Sequence, residues 1–369
     1  MSGKHMFVCS LILFLAPTPP CPAEDGTTAP ITPRTYLEQA LDIMQENALH
    51  KNEIAWPTLR EQTLARAQAA KTPSETYTAI AFALSQLKEH HSFLQLPDNL
   101  PDQQKQAIYT EIWKILAARR GANGERKPSP FAPSTEIKGH IDQWKGKAFA
   151  HVVVPACGAK YAEWEKNDAE FQQFADGLQA LVVELNSHSP EGWIVDLRGN
   201  GGGNMWPMLA GVGLLLGEAE LGTFNFAGGY RAPWRYKGGV AESEANHESH
   251  VSKPPFALPG TPPVAVLFDR GTASSGEAVA ISFAGRARTR SFGEHTAGFS
   301  TSNGRYPLAD GAVLFLCNGV EADRTGKLYP DGLDPDVAVT EPDTRPEENV
   351  DEALLAAQKW LTEEASHKP

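Results

Sequence analysis

Long apolar runs are scarce in this 369-residue sequence, which argues against a protein that crosses a membrane repeatedly. The marked run near the N-terminus, residues 6–16, is too short to span a bilayer. It is followed by prolines and by a small-residue cleavage site after Ala23, so residues 1–23 are typical of a secretory signal peptide. A lipobox around Cys21 is the alternative, which the two prolines before it disfavour. We expect an exported protein, periplasmic or secreted, without stable membrane insertion.

Positive charge is also in short supply. The 33 Lys and Arg residues face 45 Asp and Glu residues, and the net charge is -12. This balance disfavours nucleic acid as a partner, because binding to phosphates depends on cationic side chains. The hydrophobic content of 41% is that of an ordinary globular protein.

Cysteine is rare, with four in the chain, and two of them leave with the predicted signal peptide. Cys157 and Cys317 remain, and an oxidising compartment would allow either a disulfide between them or two buried free thiols. The histidines are scattered, and neither a CxxC nor an HExxH spacing occurs. We therefore expect neither a metal site nor a cofactor.

What is present divides into four parts after the signal peptide. The expected parts are a helical N-terminal bundle, a linker rich in Gly, Pro and Ser, an α/β core and a C-terminal helix, at residues 24–120, 121–146, 147–345 and 346–369. The third helix of the bundle begins at a capping box, residues 72–75. Its buried stripe, continued by four residues, reaches His91. A histidine there is more often structural than functional.

The expected core is a mixed α/β fold with a largely parallel sheet. Apolar runs at residues 148–154, 193–195 and 264–268 alternate with helical patterns. The second and third runs end in turns of small residues, and sites in such sheets form at the carboxyl ends of strands. Residues 218–260 are rich in Gly, Pro, Ser and Glu, and we interpret them as an excursion or lid with short strands.

The turn GTASSGE at residues 271–277 lies between an apolar strand and an apolar helix. A strand, a sharp turn and a helix start present a hydroxyl beside the free N–H groups of the first helical turn. Acyl transfer needs this arrangement of a nucleophile with nearby donors, so Ser274 is the candidate nucleophile. An ordinary helix N-cap is the alternative, since Ser and Thr are common cap residues.

Taken together, five segments in the correct order resemble motifs of the C-terminal processing (tail-specific) serine peptidase family, which includes the tricorn core proteases. The segments are DLRGNGGG (196–203), TASSGE (272–277), GEHTAG (293–298), LADG (308–311) and GLDPD (332–336). The resemblance implies a crotonase-like (ClpP/crotonase) core with a helical N-terminal bundle. It also implies Ser274 as nucleophile and the backbone N–H groups of Gly202 and Ser275 as the oxyanion hole.

The general base is where this sequence departs from the Ser–Lys members of that family. They carry a lysine just after GExTxG, where Phe299 and Ser300 stand here. The segment EHHS (89–92) stands where members of the family carry D-G-H-[ST]. The resemblance to the PDZ-less, tricorn-core-like branch therefore implies His91 as the base, with His295 as the rival. That branch also uses a late glutamate. The candidates for this role, none of which aligns cleanly, are Glu321, Asp323 and Asp331.

The resulting hypothesis is an exported serine peptidase that hydrolyses peptide bonds of a peptide or protein substrate through an acyl-enzyme on Ser274. A catalytically inactive protein that binds a ligand or peptide on the same fold is the alternative, favoured by the missing lysine. An acyl-CoA enzyme is disfavoured by export to a compartment without CoA. Residues 93–147 are too few for a PDZ domain, so selection of substrates by their C-terminal tails is not supported. The oligomeric state is left open.

Overall fold

The structure of the chain, a computed structural model, describes most of the sequence from Ile31 onward. The described residues are 31–118, 129–133, 135–158, 168–244, 247–253, 255–258, 260–340 and 351–366. The predicted signal peptide, residues 1–23, lies outside them, as do residues 121–128 of the predicted linker.

Four helices near the N-terminus pack around a shared apolar core. They are α1 (Pro33–Asn47), α2 (Trp56–Arg66), α3 (Tyr77–Ser85) and α4 (Asp102–Ala118), with 3-10 turns at Lys51–Glu53 and Pro73–Thr76. α1 begins where the sequence predicts, because Thr32 Oγ1 accepts a hydrogen bond from the Thr35 N–H and Pro33 takes the first helical position. The apolar faces of the four helices are buried against one another.

The larger of two sheets is antiparallel and seven-stranded. Its strands are β1 (Phe93–Gln95), β5 (Ala219–Phe226), β6 (Arg231–Lys237), β7 (Val240–Ser243), β8 (His247–His250), β11 (Thr301–Pro307) and β12 (Val313–Asp323). Their order is β1-β12-β5-β6-β7-β8, with β11 also paired to β12. The short strands expected in residues 218–260 are present, but they are four strands of a sheet that faces the core rather than part of an excursion or lid.

The smaller sheet has six strands in the order β13-β10-β9-β4-β3-β2. They are β2 (Lys138–Trp144), β3 (Lys147–Val153), β4 (Gly192–Asp196), β9 (Val264–Phe268), β10 (Thr289–Gly293) and β13 (Val337–Ala338). Every pair is parallel except β2 with β3, so the predicted parallel core is present. β2 falls within the predicted linker, and the linker is correspondingly shorter than expected.

Helices cover both faces of the smaller sheet. The main core between the two sheets holds α5 (Asp168–Asn186), α6 (Met205–Leu216) and α7 (Ser275–Phe283), while α8 (Glu352–Ser366) packs on the opposite face. Within the described residues, no helix combines the length and the apolar character that a bilayer span requires.

Two contacts position the functional region. β4 and β9 run side by side in parallel, with Asp196 opposite Leu267, so the turns that follow them meet at one sheet edge. On the other side, β1 leaves the helical bundle and pairs with β12, placing Phe93 opposite Phe315. The loop before β1, residues 86–92, is thereby tied to the α/β core.

Cys157 and Cys317 are both buried free thiols, which decides between the two alternatives left open by the sequence. Burial raises the pKa of the Cys157 thiol to about 12. A buried thiol with a raised pKa forms little thiolate, so Cys157 is not suited to nucleophilic chemistry.

Candidate active site

Ser274 occupies the sharp turn between β9 and α7. Its backbone has φ 53° and ψ -123°, a conformation that is costly for a residue with a side chain and that concentrates at functional sites. The residue is the N-cap of α7, so the N-cap interpretation and the nucleophile interpretation describe the same position. Its side chain is half-buried, which leaves the hydroxyl accessible.

Glu277 holds this turn in place from inside the protein. Its fully buried carboxylate accepts four hydrogen bonds. The donors and distances are the Ser274 N–H at 2.8 Å, the Phe299 N–H at 2.8 Å, the Gly298 N–H at 2.8 Å and the Thr296 hydroxyl at 2.6 Å. Burial raises the pKa of Glu277, and these four donors oppose that shift. The TASSGE and GEHTAG motifs are thus joined through one side chain.

His91 lies against the Ser274 hydroxyl, with its Nε2 atom 3.0 Å from Ser274 Oγ. The expectation that it ends a helical face needs correction: α3 stops at Ser85, and His91 sits in the loop before β1. Buried Glu89 stabilises this loop by accepting the N–H groups of His91 at 2.7 Å and Ser92 at 2.9 Å. The distance between Nε2 and Oγ is within the range for proton transfer.

Thr301 is the contact that sequence reasoning missed. Its hydroxyl lies 2.9 Å from His91 Nδ1, at the position where a carboxylate stands in the triad of serine proteases. Thr301 is buried at the start of β11, three residues after GEHTAG, and no motif marks it. Phe299 stacks on the imidazole with ring centroids 5.2 Å apart, so the position expected to carry lysine in Ser–Lys members shields the histidine instead.

The rival base, His295, is directed elsewhere. It is exposed, and its ring nitrogens lie 2.8 Å from Asp334 Oδ1 and 2.8 Å from the backbone oxygen of Asp331. With both nitrogens engaged on the surface, its ring is not placed to accept a proton from Ser274.

The recorded contacts of the three candidate acids are with groups other than the His91 ring. Asp323 accepts hydrogen bonds from Thr325, Lys327 and Tyr329 and closes a local turn. Asp331 is exposed. Glu321 is buried, and burial together with the neighbouring charge of Glu277 raises its pKa well above the ordinary value. Within the described residues, the group recorded at His91 Nδ1 is the hydroxyl of Thr301.

The glycine-rich turn after β4 lies directly against the nucleophile. Gly202 has φ 102°, and a Cβ atom there would lie 2.9 Å from Ser274 Cβ, so glycine is required on both counts. Its N–H donates to Asn200 Oδ1 at 2.9 Å, whereas the Ser275 N–H has no recorded acceptor among the residues that the structure describes. Asn200 also accepts the Ala273 N–H at 2.9 Å with its carbonyl oxygen. It therefore joins the two turns, a role that its motif did not reveal.

A serine on a strand–turn–helix, with an imidazole at its hydroxyl and a free helix N-terminus beside it, is the arrangement of a serine-type peptidase. Residues 160–339 match the sequence profile of peptidase family S41. This match confirms the resemblance that the motifs indicate.

The chain is similar to several known proteins in sequence or in fold. The nisin-resistance protein of Lactococcus lactis subsp. lactis is 25% identical over 300 residues, covering 81% of this chain and 81% of that protein. A lipoprotein from Streptococcus agalactiae shares the fold with a TM-score of 0.64 at 21% identity, over 92% of this chain and 99% of that one. The photosystem II D1 C-terminal processing protease shares it with a TM-score of 0.56 at 16% identity, over 84% and 94%.

Proposed function

We propose that this chain is an exported serine peptidase in which Ser274 is the nucleophile and His91 is the general base. The observation that carries the proposal is the 3.0 Å separation between His91 Nε2 and Ser274 Oγ. His91 comes from the loop between the helical bundle and β1, and Ser274 comes from the turn before α7, so the two side chains are brought together by the fold and not by proximity in the sequence. A histidine base in place of lysine also favours the tricorn-core-like branch and its crotonase-like core with a helical bundle.

The chemistry follows from the hydrogen bonds. The tautomer with a proton on Nδ1 donates to Thr301 Oγ1 and leaves Nε2 free to accept the Ser274 proton. Ser274 Oγ attacks the peptide carbonyl carbon, and His91 passes the proton to the leaving amine as the C–N bond breaks. Water then attacks the acyl-enzyme and gives a proton to His91, and His91 passes that proton to Ser274 Oγ as the acyl C–O bond breaks. Phe299 limits the access of solvent to the ring face during both steps.

The oxyanion formed in each step needs donors that are already in place. The Ser275 N–H meets this need, because it lies in the first turn of α7, where the helix dipole favours negative charge. For the second donor we propose the Gly202 N–H, shared between Asn200 Oδ1 and the oxyanion. Gly202 packs against Ser274 closely enough for this, as the Cβ distance above indicates.

We base the proposed location on the N-terminal sequence and the proposed substrate class on the family match. A predicted signal peptide at residues 1–23 supports export, and the family supports a peptide or protein substrate. One relative is named for resistance to nisin, so nisin belongs among the first substrates to try.

Active-site labelling tests the proposal. A fluorophosphonate probe should label the mature wild-type protein once, and mass spectrometry should place the adduct on Ser274, because Nε2 activates that hydroxyl. Unfolded wild-type protein is the control, and it should not react. A folded protein that binds peptide but gives no adduct at Ser274 would support the inactive binding protein instead.

Thr301 should position the imidazole without supplying charge. We expect Thr301→Val, which keeps the side-chain shape, to lower kcat by about 10- to 100-fold, less than loss of the base itself. Thr301→Ser keeps the hydroxyl and should retain most of the activity. Steady-state kinetics of both variants on one peptide would check this. Full activity in Thr301→Val with a loss in Thr301→Ser would indicate that the methyl group, not the hydroxyl, matters.

A further inference from the structure

The hairpin formed by β2 and β3 gathers three side chains that carry metal-ligand atoms. His140 and His151 lie directly opposite each other on the two strands, and Asp142 follows two residues after His140 on the same face. The His140 Nε2 atom lies 2.8 Å from Asp142 Oδ1, and the His151 Nδ1 atom lies 3.3 Å from Asp142 Oδ2. One ligand atom from each residue falls within 4.8 Å of the others.

These separations suit a tetrahedral cation. With Zn–N and Zn–O bonds of about 2.0–2.2 Å, the edges of a tetrahedron are about 3.3 Å long. The two His–Asp separations are 2.8 and 3.3 Å, and all three ligand atoms lie within 4.8 Å of one another. Two histidines and one carboxylate form the set that holds zinc when the fourth position is left to water. The hairpin therefore needs only small side-chain movements to close around the ion.

A second observation supports the site: a carboxylate contacts the ring nitrogen of His151 that faces away from Asp142. The other ring nitrogen of His151, Nε2, lies 3.2 Å from Asp196 Oδ2, and Asp196 is held in turn by Arg198 Nη2 at 2.6 Å. A carboxylate on the remote nitrogen orients metal-binding histidines and fixes their tautomer. Arg198, Asp196 and His151 therefore already form the hydrogen-bonded series that would orient His151 Nδ1 toward a metal ion.

Charge also favours a cation. Asp142, Asp196 and Asp351 contribute three carboxylates to this network, against the single guanidinium of Arg198, which contacts both Asp196 and Asp351. With both imidazoles neutral, as metal ligands must be, the group has excess negative charge.

We propose that His140, Asp142 and His151 form a zinc site, with His140 Nε2, one Asp142 oxygen and His151 Nδ1 as ligands and water as the fourth. The site is reachable, because the His140 side chain is 59% exposed while that of His151 is 7% exposed. It is separate from the Ser274–His91 pair and joins the edge hairpin to the strand that leads into the glycine-rich turn. The expectation of no metal site rested on spacing along the chain, and this cluster forms across two strands.

Metal titration of the untagged full-length protein, stripped with a chelator, tests the site. Wild-type protein should bind one Zn²⁺ by calorimetry, and Co²⁺ in its place should give the strong visible absorption of four-coordinate cobalt. His140→Ala, which removes an exposed ligand, should weaken Zn²⁺ binding by more than about 10-fold, and Asp142→Asn should also weaken it. His188→Ala, an exposed histidine elsewhere, is the matched control and should bind like wild type. Ser274→Ala should bind zinc normally, so failure of this site and failure of the peptidase proposal are separable.

Two results would overturn the proposal. One is equal Zn²⁺ affinity in wild-type protein and His140→Ala. The other is absence of 1:1 binding in folded wild-type protein. The negative charge would then be balanced by a proton on His151: burial opposes that proton, but hydrogen bonds to Asp142 and Asp196 outweigh it and raise the pKa of His151 to about 9.

Discussion

Replacing Ser274 or His91 with alanine should each lower kcat by about 10⁴- to 10⁶-fold, and replacing both should lower it little further. In the proposed mechanism the nucleophile and the base act in one step, because the proton on Ser274 Oγ would move to His91 Nε2, 3.0 Å away, as the new bond forms. Once either is missing, the other has nothing to act on. The residual rate in all three variants would come from substrate binding and the oxyanion donors.

Kinetics of the two single variants and the double variant on one peptide substrate would measure this coupling. Circular dichroism and thermal unfolding should show that all three remain folded, since both side chains are only half-buried. His295→Ala is the matched control and should keep near wild-type activity. A multiplicative loss in the double variant, or a large loss in His295→Ala with little in His91→Ala, would contradict the assignment of the base.

The parts of the site that depend on short stretches of chain could be predicted from the sequence. The Ser274 turn follows from an apolar strand, small residues and an apolar helix within about twenty residues, and β9 and α7 form there. The glycine-rich turn follows from the same logic after β4. Because parallel neighbours end at one sheet edge, the meeting of these two turns was also predictable.

The position of His91 could not be predicted from the apolar periodicity of α3. The apolar stripe of α3 continues correctly to Leu87, which is fully buried, but the helix ends at Ser85. Lys88 then adopts a positive φ of 58°, which redirects the chain toward β1. The pattern therefore predicted burial near His91 and gave the wrong local structure, and only the resemblance indicated the role of general base that we propose for it.

Contacts set by strand register could not be read from the sequence. Thr301 reaches His91 because β1 and β11 both pair with β12, and nothing in the sequence marks that pairing. The His140–Asp142–His151 cluster likewise depends on the register of β2 against β3. Residues 218–260 were misjudged because their Gly, Pro and Ser content resembles a loop, while alternate residues of β6 point into the core.

Replacing Asp310 with alanine should cause a large loss of stability, about 3–5 kcal/mol. Asp310 lies in the LADG turn between β11 and β12, and its carboxylate accepts the Tyr36 hydroxyl at 2.7 Å and the Tyr77 hydroxyl at 2.6 Å. Both tyrosines belong to the helical bundle and are almost completely buried. Burial and the bond to Asp310 raise the pKa of both hydroxyls, which keeps them protonated donors. Alanine would leave two buried hydroxyls without their acceptor.

Asparagine tests whether the charge or the acceptor matters. Asp310→Asn keeps the shape and one carbonyl oxygen, so we expect a loss of about 1–2 kcal/mol. Denaturant unfolding followed by circular dichroism would give these values, with exposed Asp331→Ala as a control expected to stay within about 0.5 kcal/mol of wild type.

The same experiment should show activity disappearing with the bundle contact. The bundle carries the loop with His91, while Ser274 belongs to the α/β core, so loosening the Asp310 contact separates base from nucleophile. In Asp310→Ala, peptidase activity should therefore fall at lower denaturant than the circular dichroism signal of the whole chain. Wild-type stability in Asp310→Ala, or activity lost only at global unfolding, would mean that the β1–β12 pairing alone holds the imidazole at the serine.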